Sequence, residues 1–270
     1  MKYHFASCEV KANKVLNIKK IKPRYILGSF HYLNKKSEEE LIEYFSYIHS
    51  SDCKQFILDS GAFTYMFGSE KQKKEIVENT DEYIEKYSNF IKRWKCKNYI
   101  ELDIDVIVGY EKVKKITEKL EKIVGYKAIP VFHNRFRNKQ DLDDMLKKYS
   151  YIGISNFNGK KDRSIFKNIK AIVRYAKQKN VKVHGLALTG KRITKEIPEF
   201  YSIDSSSWTS GLRFGNIPIF DKKTNSIKVL KNTTNKKLKL DSRGKAKINE
   251  HAMKEWKKYA EYLERGDVWI

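Results

Sequence analysis

The chain has 270 residues, 40% of them hydrophobic and 13% aromatic, enough for a sizeable core and too many for global disorder. Lys and Arg number 56 against 33 Asp and Glu, and the resulting net charge of +23 favours a polyanionic partner without deciding the fold. No apolar run approaches the ~18 residues of a membrane span. Glu9 and Lys11 interrupt any secretory core at the N-terminus, and Cys8, Cys53 and Cys96 have neither disulfide-framework nor zinc-ligand spacing, so a soluble cytoplasmic protein is expected.

Short apolar runs suited to strands buried on both faces alternate with amphipathic stretches. Tyr3–Cys8 and Tyr25–Phe30 come first, joined by a connection without a clear helical pattern. Ser37 and Glu40 then form a capping box leading into Leu41, Ile42, Tyr44, Phe45 and Ile48. Phe56–Asp59 is the third run, followed by a helix starting near Thr80 with Tyr83, Ile84, Tyr87 and Ile91 on one side. Tyr99–Asp103 is followed by Val113, Ile116, Leu120 and Ile123 at helical spacing. Ala128–Phe132 and Tyr151–Ser155 precede the helical set Ile165, Ile169, Ile172 and Val173, and Val181–Leu188 and Tyr201–Asp204 complete the series. Strand–helix alternation repeated about eight times predicts an α/β fold, a (β/α)8 TIM-type barrel over residues 1–215, with an open doubly wound sheet as the fallback. Residues 216–270 break the rhythm. They read as a hairpin around Asp221–Asn225, a basic stretch over 231–247, and a helix over 248–264 with Ala252, Trp256, Tyr259, Ala260 and Leu263 as its buried stripe. One domain with a short basic C-terminal extension packed on the barrel is the simplest account.

Reactive groups of such a barrel sit where its strands end. Those ends read Asp59-Ser60-Gly61-Ala62-Phe63, Asp103-Ile104-Asp105, Phe132-His133-Asn134, Gly153-Ile154-Ser155-Asn156, His184-Gly185 and Asp204-Ser205-Ser206-Ser207-Trp208. A single Asp after a strand is usually a helix N-cap, and Asp-Ser-Gly is a good turn. Carboxylates at three strand ends converging on one mouth point instead to a site. By alternation Ile57 and Asp59 share a face, as do Ser202 and Asp204, and Glu101, Asp103 and Asp105, and the inward direction fits all three.

The order of these pieces resembles the tRNA-guanine transglycosylase superfamily, in particular its DNA-directed branch, the DpdA-type 7-deazaguanine transglycosylases. The resemblance is collinear over roughly residues 1–215. It is carried by Ile26–Leu33, by the more specific Leu58-Asp59-Ser60-Gly61-Ala62-Phe63, by Ile152–Ser155, by His184–Thr189, by Ser202-Ile203-Asp204-Ser205 and by Gly211–Gly215. It implies Asp204 as the nucleophile on C1′ of the target nucleoside and Asp59 as general acid/base. Phe63 would stack on the base beside Ser60 and Gly61. Asp103, or Asp105 two residues on, would accept from the purine N1–H and exocyclic amine. Backbone around Gly153, Ile154 and Ser155 would contact the heterocycle, His133, His184 and Gly185 would line the pocket, and Arg213 would meet a phosphate or ribose. Trp208 is either a second stacking platform or core packing.

The function implied is exchange of guanine in DNA for a 7-deazaguanine such as preQ0, with the free base as co-substrate, no cofactor and no metal. The family's cysteine zinc site is excluded, since no Cys follows Cys96. Arg135 and Arg137, Lys160, Lys161 and Arg163, and Lys236, Lys237, Lys239 and Arg243 are the expected nucleic-acid surface. Base exchange in tRNA is the runner-up, a non-catalytic nucleic-acid-binding barrel and a nucleoside hydrolase are further alternatives, and a homodimer or partner protein is left open. The setting would be the cytoplasm, a host's if the chain is phage-encoded.

Overall fold

The computed structural model describes residues 1–9, 18–66, 68–133, 137–155, 163–188, 191–211, 217–230 and 241–266. Seven parallel strands are β1 (Lys2–Ala6), β2 (Tyr25–Ser29), β3 (Gln55–Asp59), β4 (Val131–His133), β5 (Tyr151–Ser155), β6 (Lys182–Leu186) and β7 (Ser202–Ser205). They pair in the order β3-β2-β1-β7-β6-β5-β4. The space between β3 and β4 is filled by residues 99–101, through parallel bridges of Leu58 with Tyr99 and of Ile100 with Ile129. Ile100 N–H donates to Leu58 O at 2.8 Å and Ile129 N–H to Tyr99 O at 2.8 Å, so the sheet closes. The fold is the (β/α)8 barrel that the alternation predicts, with the fourth stave reduced to a short bridge.

Alternation along each strand divides two apolar layers. Inside the barrel, Ala6, Leu27, Ile57, Ile100, Ile129 and Val131 pack together with Tyr151 and Leu186 against them. Outward-facing residues such as Phe5, Ile26, Leu58, Ile152 and Ile203 meet the helices. The capping box at Ser37 forms as predicted, with Ser37 Oγ accepting from Glu40 N–H and the Glu40 carboxylate from Ser37 N–H. Its helix Glu38–Ile48 buries Leu41, Tyr44, Phe45 and Ile48, while Ile42 is 56% exposed and lies off the stripe. Helix Thr80–Arg93 buries Ile84, Tyr87, Phe90 and Ile91, and helix Tyr110–Val124 buries Val113, Ile116, Leu120 and Val124. Helix Arg163–Gln178 buries Ile169, Val173 and Ala176.

The tail is more integral than its composition suggests. Strands β8 (Ile217–Asp221) and β9 (Ser226–Leu230) form the predicted antiparallel hairpin. The last helix runs Ser242–Arg265, starting earlier than predicted because Asp241 caps it, its carboxylate accepting from Gly244 N–H at 2.7 Å. Trp256 stacks on Tyr3 at 5.3 Å, Met253 and Tyr259 join the main core, and the N-terminal ammonium donates to Leu263 O at 3.1 Å. This helix covers β1 where the helix after the last strand of a barrel belongs. Arg243, Lys245 and Lys247 therefore lie on a helix and not in an irregular basic stretch. Lys236, Lys237 and Lys239 fall outside the described residues. No helix among the described residues is long and apolar enough to cross a membrane.

Candidate active site at the barrel mouth

Strand β3 delivers Asp59 to the mouth, two residues beyond the interior Ile57. The chain then turns through Gly61 at φ +80°, where a Cβ would stand 2.5 Å from the His31 Cβ, so this turn requires glycine. The Gly61 N–H donates to Asp59 Oδ2 at 2.9 Å. Burial pushes the Asp59 carboxyl up to about 7, and the neighbouring Asp204 and Asp103 carboxylates push the same way, against the Gly61 N–H and the Ser29 hydroxyl. At neutral pH this group is poised to give or take a proton.

Asp204, on β7, is 7% exposed and has a different environment. Its Oδ1 accepts from the Ala187 N–H at 2.8 Å and meets His184 Nε2 at 3.3 Å. Ala187 has a positive φ of 53°, and this left-handed turn after β6 aims its N–H at the carboxylate. His184 Nδ1 lies 2.6 Å from Ser202 Oγ, and that oxygen is 2.5 Å from Tyr151 Oη. With a neutral imidazole, one polarity satisfies every donor: Tyr151 O–H to Ser202, Ser202 O–H to His184 Nδ1, and His184 Nε2–H to Asp204. A chain of donors thus points at Asp204. The His4 ring packs edge-on against His184 at 5.4 Å, and burial, reinforced by His184, holds His4 well below its ordinary pKa, so it adds no charge here.

Between these carboxylates and β4 lies a third group. Asp103 Oδ1 is 2.6 Å from His133 Nε2. Burial disfavours the His133 cation, but Asp103, and behind it Asp105, outweigh burial and Arg137 and raise its pKa above the ordinary value. Asp105 is taken up by Arg137, whose Nε and Nη2 both reach Asp105 Oδ2, at 3.1 and 2.8 Å, and whose guanidinium stacks 3.8 Å over the Tyr110 ring. Asp103, Asp105 and His133 could offer a cation one ligand atom each, all within 4.8 Å of one another. Arg137 engages only Oδ2 of Asp105 and leaves Oδ1 without a hydrogen-bond partner among the described residues.

The structure corrects several sequence-derived assignments. Arg137 is 8% exposed and paired inside the fold, so it is no part of a nucleic-acid surface. Trp208 is fully buried, packs on Phe5 and donates Nε1–H to Ala6 O at 2.8 Å, which makes it core and not a stacking platform. Gly153 and Ile154 lie within β5, where the ladder to β4 and β6 occupies their backbone. A Cβ on Gly153 would sit 3.3 Å from Val131 Cγ2, and Ile154 is fully buried, so both serve packing. Gly185 likewise packs closely, a Cβ there lying 3.1 Å from the Phe200 ring. His184 lies beneath Asp204 and positions it. Glu101 does not share the inward face of Asp103, because its carboxylate accepts from Thr117 O–H of helix Tyr110–Val124 at 2.7 Å and from Val131 N–H at 2.8 Å. Ser60 is buried beside Asp59, its carbonyl accepting from Tyr83 O–H, and Ser155 ends β5 level with His133. Phe63 is the second residue of helix Ala62–Met66 and Arg163 opens helix Arg163–Gln178, but both side chains lie outside the described residues, as do Arg135, Lys160, Lys161 and Arg213.

Four residues of the site have no counterpart among the sequence candidates: Ser29, Ala187, Ser202 and Tyr151. Ser202 carried a signal, since it stands two residues before Asp204 on the same strand face. Ala187 carried none, because a positive φ at alanine has no sequence signature.

The chain matches no protein-family model and no curated protein. Among solved structures, it is similar to a protein from Aquifex aeolicus VF5 (TM-score 0.51, 11% identity, 95% of this chain and 91% of that one). It is also similar to a protein from Anabaena variabilis ATCC 29413 provisionally named a sugar phosphate isomerase/epimerase (TM-score 0.45, 12% identity, 97% and 99% covered). At these identities the first likeness speaks for the fold alone, and the second carries no argument.

Proposed function

We propose that the chain is a glycosyl-transfer barrel working by double displacement on a nucleoside within a nucleic acid. More particularly, the reading is a guanine transglycosylase that replaces guanine in DNA with a 7-deazaguanine base. One observation carries it. Two mouth carboxylates have opposed environments, Asp204 facing donors and Asp59 pushed up to about 7. In this mechanism ionised Asp204 attacks C1′ from the face opposite the base, and the C1′–N9 bond breaks. Protonated Asp59 gives its proton to the leaving guanine. The resulting glycosyl-enzyme is attacked at C1′ by N9 of the incoming 7-deazaguanine, whose proton returns to Asp59, so configuration is retained. The cationic transition state lies among Asp204, Asp59 and Asp103. Asp103 and Asp105 both stay candidate readers of a guanine edge, since His133 engages one oxygen of Asp103 and Arg137 one oxygen of Asp105.

The test is incorporation of labelled guanine into double-stranded DNA, single-stranded DNA and tRNA by wild type and Asp204→Asn. The expected outcome is label in DNA with wild type and none with the variant, while nucleic-acid binding changes little. Label in tRNA alone would move the polymer to RNA. Label surviving in Asp204→Asn would remove the nucleophile, and none in any polymer would leave a binding barrel.

A further inference from the structure

The pole opposite the mouth holds a cavity of about 570 Å³. Its walls are segments that each precede or open a strand: Lys97 before the fourth stave, Lys127 before β4, Lys147 and Lys148 before β5, Lys179 and Lys182 before and at the start of β6, with Tyr149, Tyr151 and Tyr201 among them. Among the described residues, no Asp or Glu lines it. Lys127, Lys148 and Lys147 have ion-pair partners behind them in Glu121, Glu118 and Asp144, at 2.7, 2.9 and 3.6 Å. Lys97, Lys179 and Lys182 form no ion pair among the described residues. Lys179 and Lys182 rest 5.5 and 4.8 Å from the Tyr175 and Tyr201 rings, and Lys2 adds a further ammonium 3.5 Å from Tyr201.

Lysines in the last turn of a helix or just after it complement the helix dipole, and that accounts for Lys147, Lys148 and Lys179. It does not account for Lys97, nor for Lys182, which stands on β6, nor for the gathering around one concavity of three ammonium groups that form no ion pair among the described residues. Such convergence raises the free energy of the empty site through mutual repulsion and attracts anions into the concavity. The volume is that of a small-molecule site. We propose that this cavity binds a small polyphosphate, an anion of three or four charges such as the phosphate chain of a nucleoside triphosphate, with Lys97, Lys179 and Lys182 as its main ligands. The site is separate from the mouth carboxylates and does not rest on the reading of the mouth as a transglycosylase.

The probe is inorganic tripolyphosphate, titrated calorimetrically into the full chain at fixed ionic strength, with sulfate at matched ionic strength as the reference. Lys97→Gln/Lys179→Gln/Lys182→Gln is compared with Lys73→Gln/Lys86→Gln/Lys119→Gln, which removes the same charge elsewhere. One-site binding weakened about tenfold or more by the cavity variant, and nearly unchanged in the remote one, is expected. Equal weakening in both would reduce the effect to net charge and overturn the proposal, as would binding no tighter than sulfate. A parallel arm uses a single-stranded oligonucleotide. If it needs the three lysines while tripolyphosphate does not bind, the cavity is a stretch of backbone track and the small-ligand proposal fails. An Asp204→Asn chain should bind tripolyphosphate like wild type whatever the exchange assay shows.

Discussion

Asp59 shows how one residue's surroundings set both its chemistry and a cost to the fold. Its pKa of about 7 in the fold lies well above the ordinary carboxyl value of 3.8, with burial the largest cause. The folded state therefore binds more protons than the unfolded chain between these values. The contribution of Asp59 to stability is fully present below about pH 4 and is lost as pH rises through about 7. The shift corresponds to about 4 kcal/mol, or about 2 kcal/mol once the partial exposure of Asp59 is allowed for. Asp59→Asn should accordingly match wild type in urea denaturation at pH 4 and exceed it by about 2 kcal/mol at pH 8, while losing base exchange. An equal difference at both pH values would show that Asp59 does not titrate in this window. Among the acidic residues at the strand ends, sequence placed Asp59, Asp103 and Asp204 together at one mouth. It did not separate Asp103 from Asp105, because the partner that distinguishes them, Arg137, arrives from 32 residues away. Trp208 was ambiguous for the same reason, its indole N–H meeting Ala6 across the closed barrel.

Single elements were legible where their own period decides them. The apolar runs became strands because both faces are covered, and the capping box at Ser37 is a purely local device. The fourth stave is shorter than its apolar run suggests, since Glu101 turns to Thr117 and Val131 and ends the alternation. The last helix is the element whose role sequence concealed. Its stripe was readable, but its partner, β1, lies at the other end of the chain, and the intervening hairpin hides that it closes the barrel. Trp256 is 7% exposed and stacked on Tyr3, so Trp256→Ala leaves a cavity between helix and strand. A loss of about 3–5 kcal/mol follows, read as a lower urea midpoint with an unchanged slope. A loss below about 1 kcal/mol would mean that the helix is an appendage.

Across the whole molecule, described carboxylates and described lysines gather at opposite ends of the barrel, and an internal hydrogen-bonded chain runs between them. Carboxylates gather at the mouth, where a glycosyl cation would form, and lysines gather at the far pole. Tyr151 lines the lysine cavity and is also the first donor of the chain that ends on Asp204. The chain's polarity depends on Ser202, which holds His184 with its proton on Nε2. Ser202→Ala removes the donor to Nδ1, so the imidazole can place its proton there and turn a lone pair toward Asp204. The expected result is a roughly 10- to 100-fold loss of exchange, with substrate affinity nearly retained. Tyr151→Phe leaves the serine-to-histidine bond in place and should cost much less. Equal losses in the two variants would place the effect in packing of the barrel interior and not in the donor chain to Asp204.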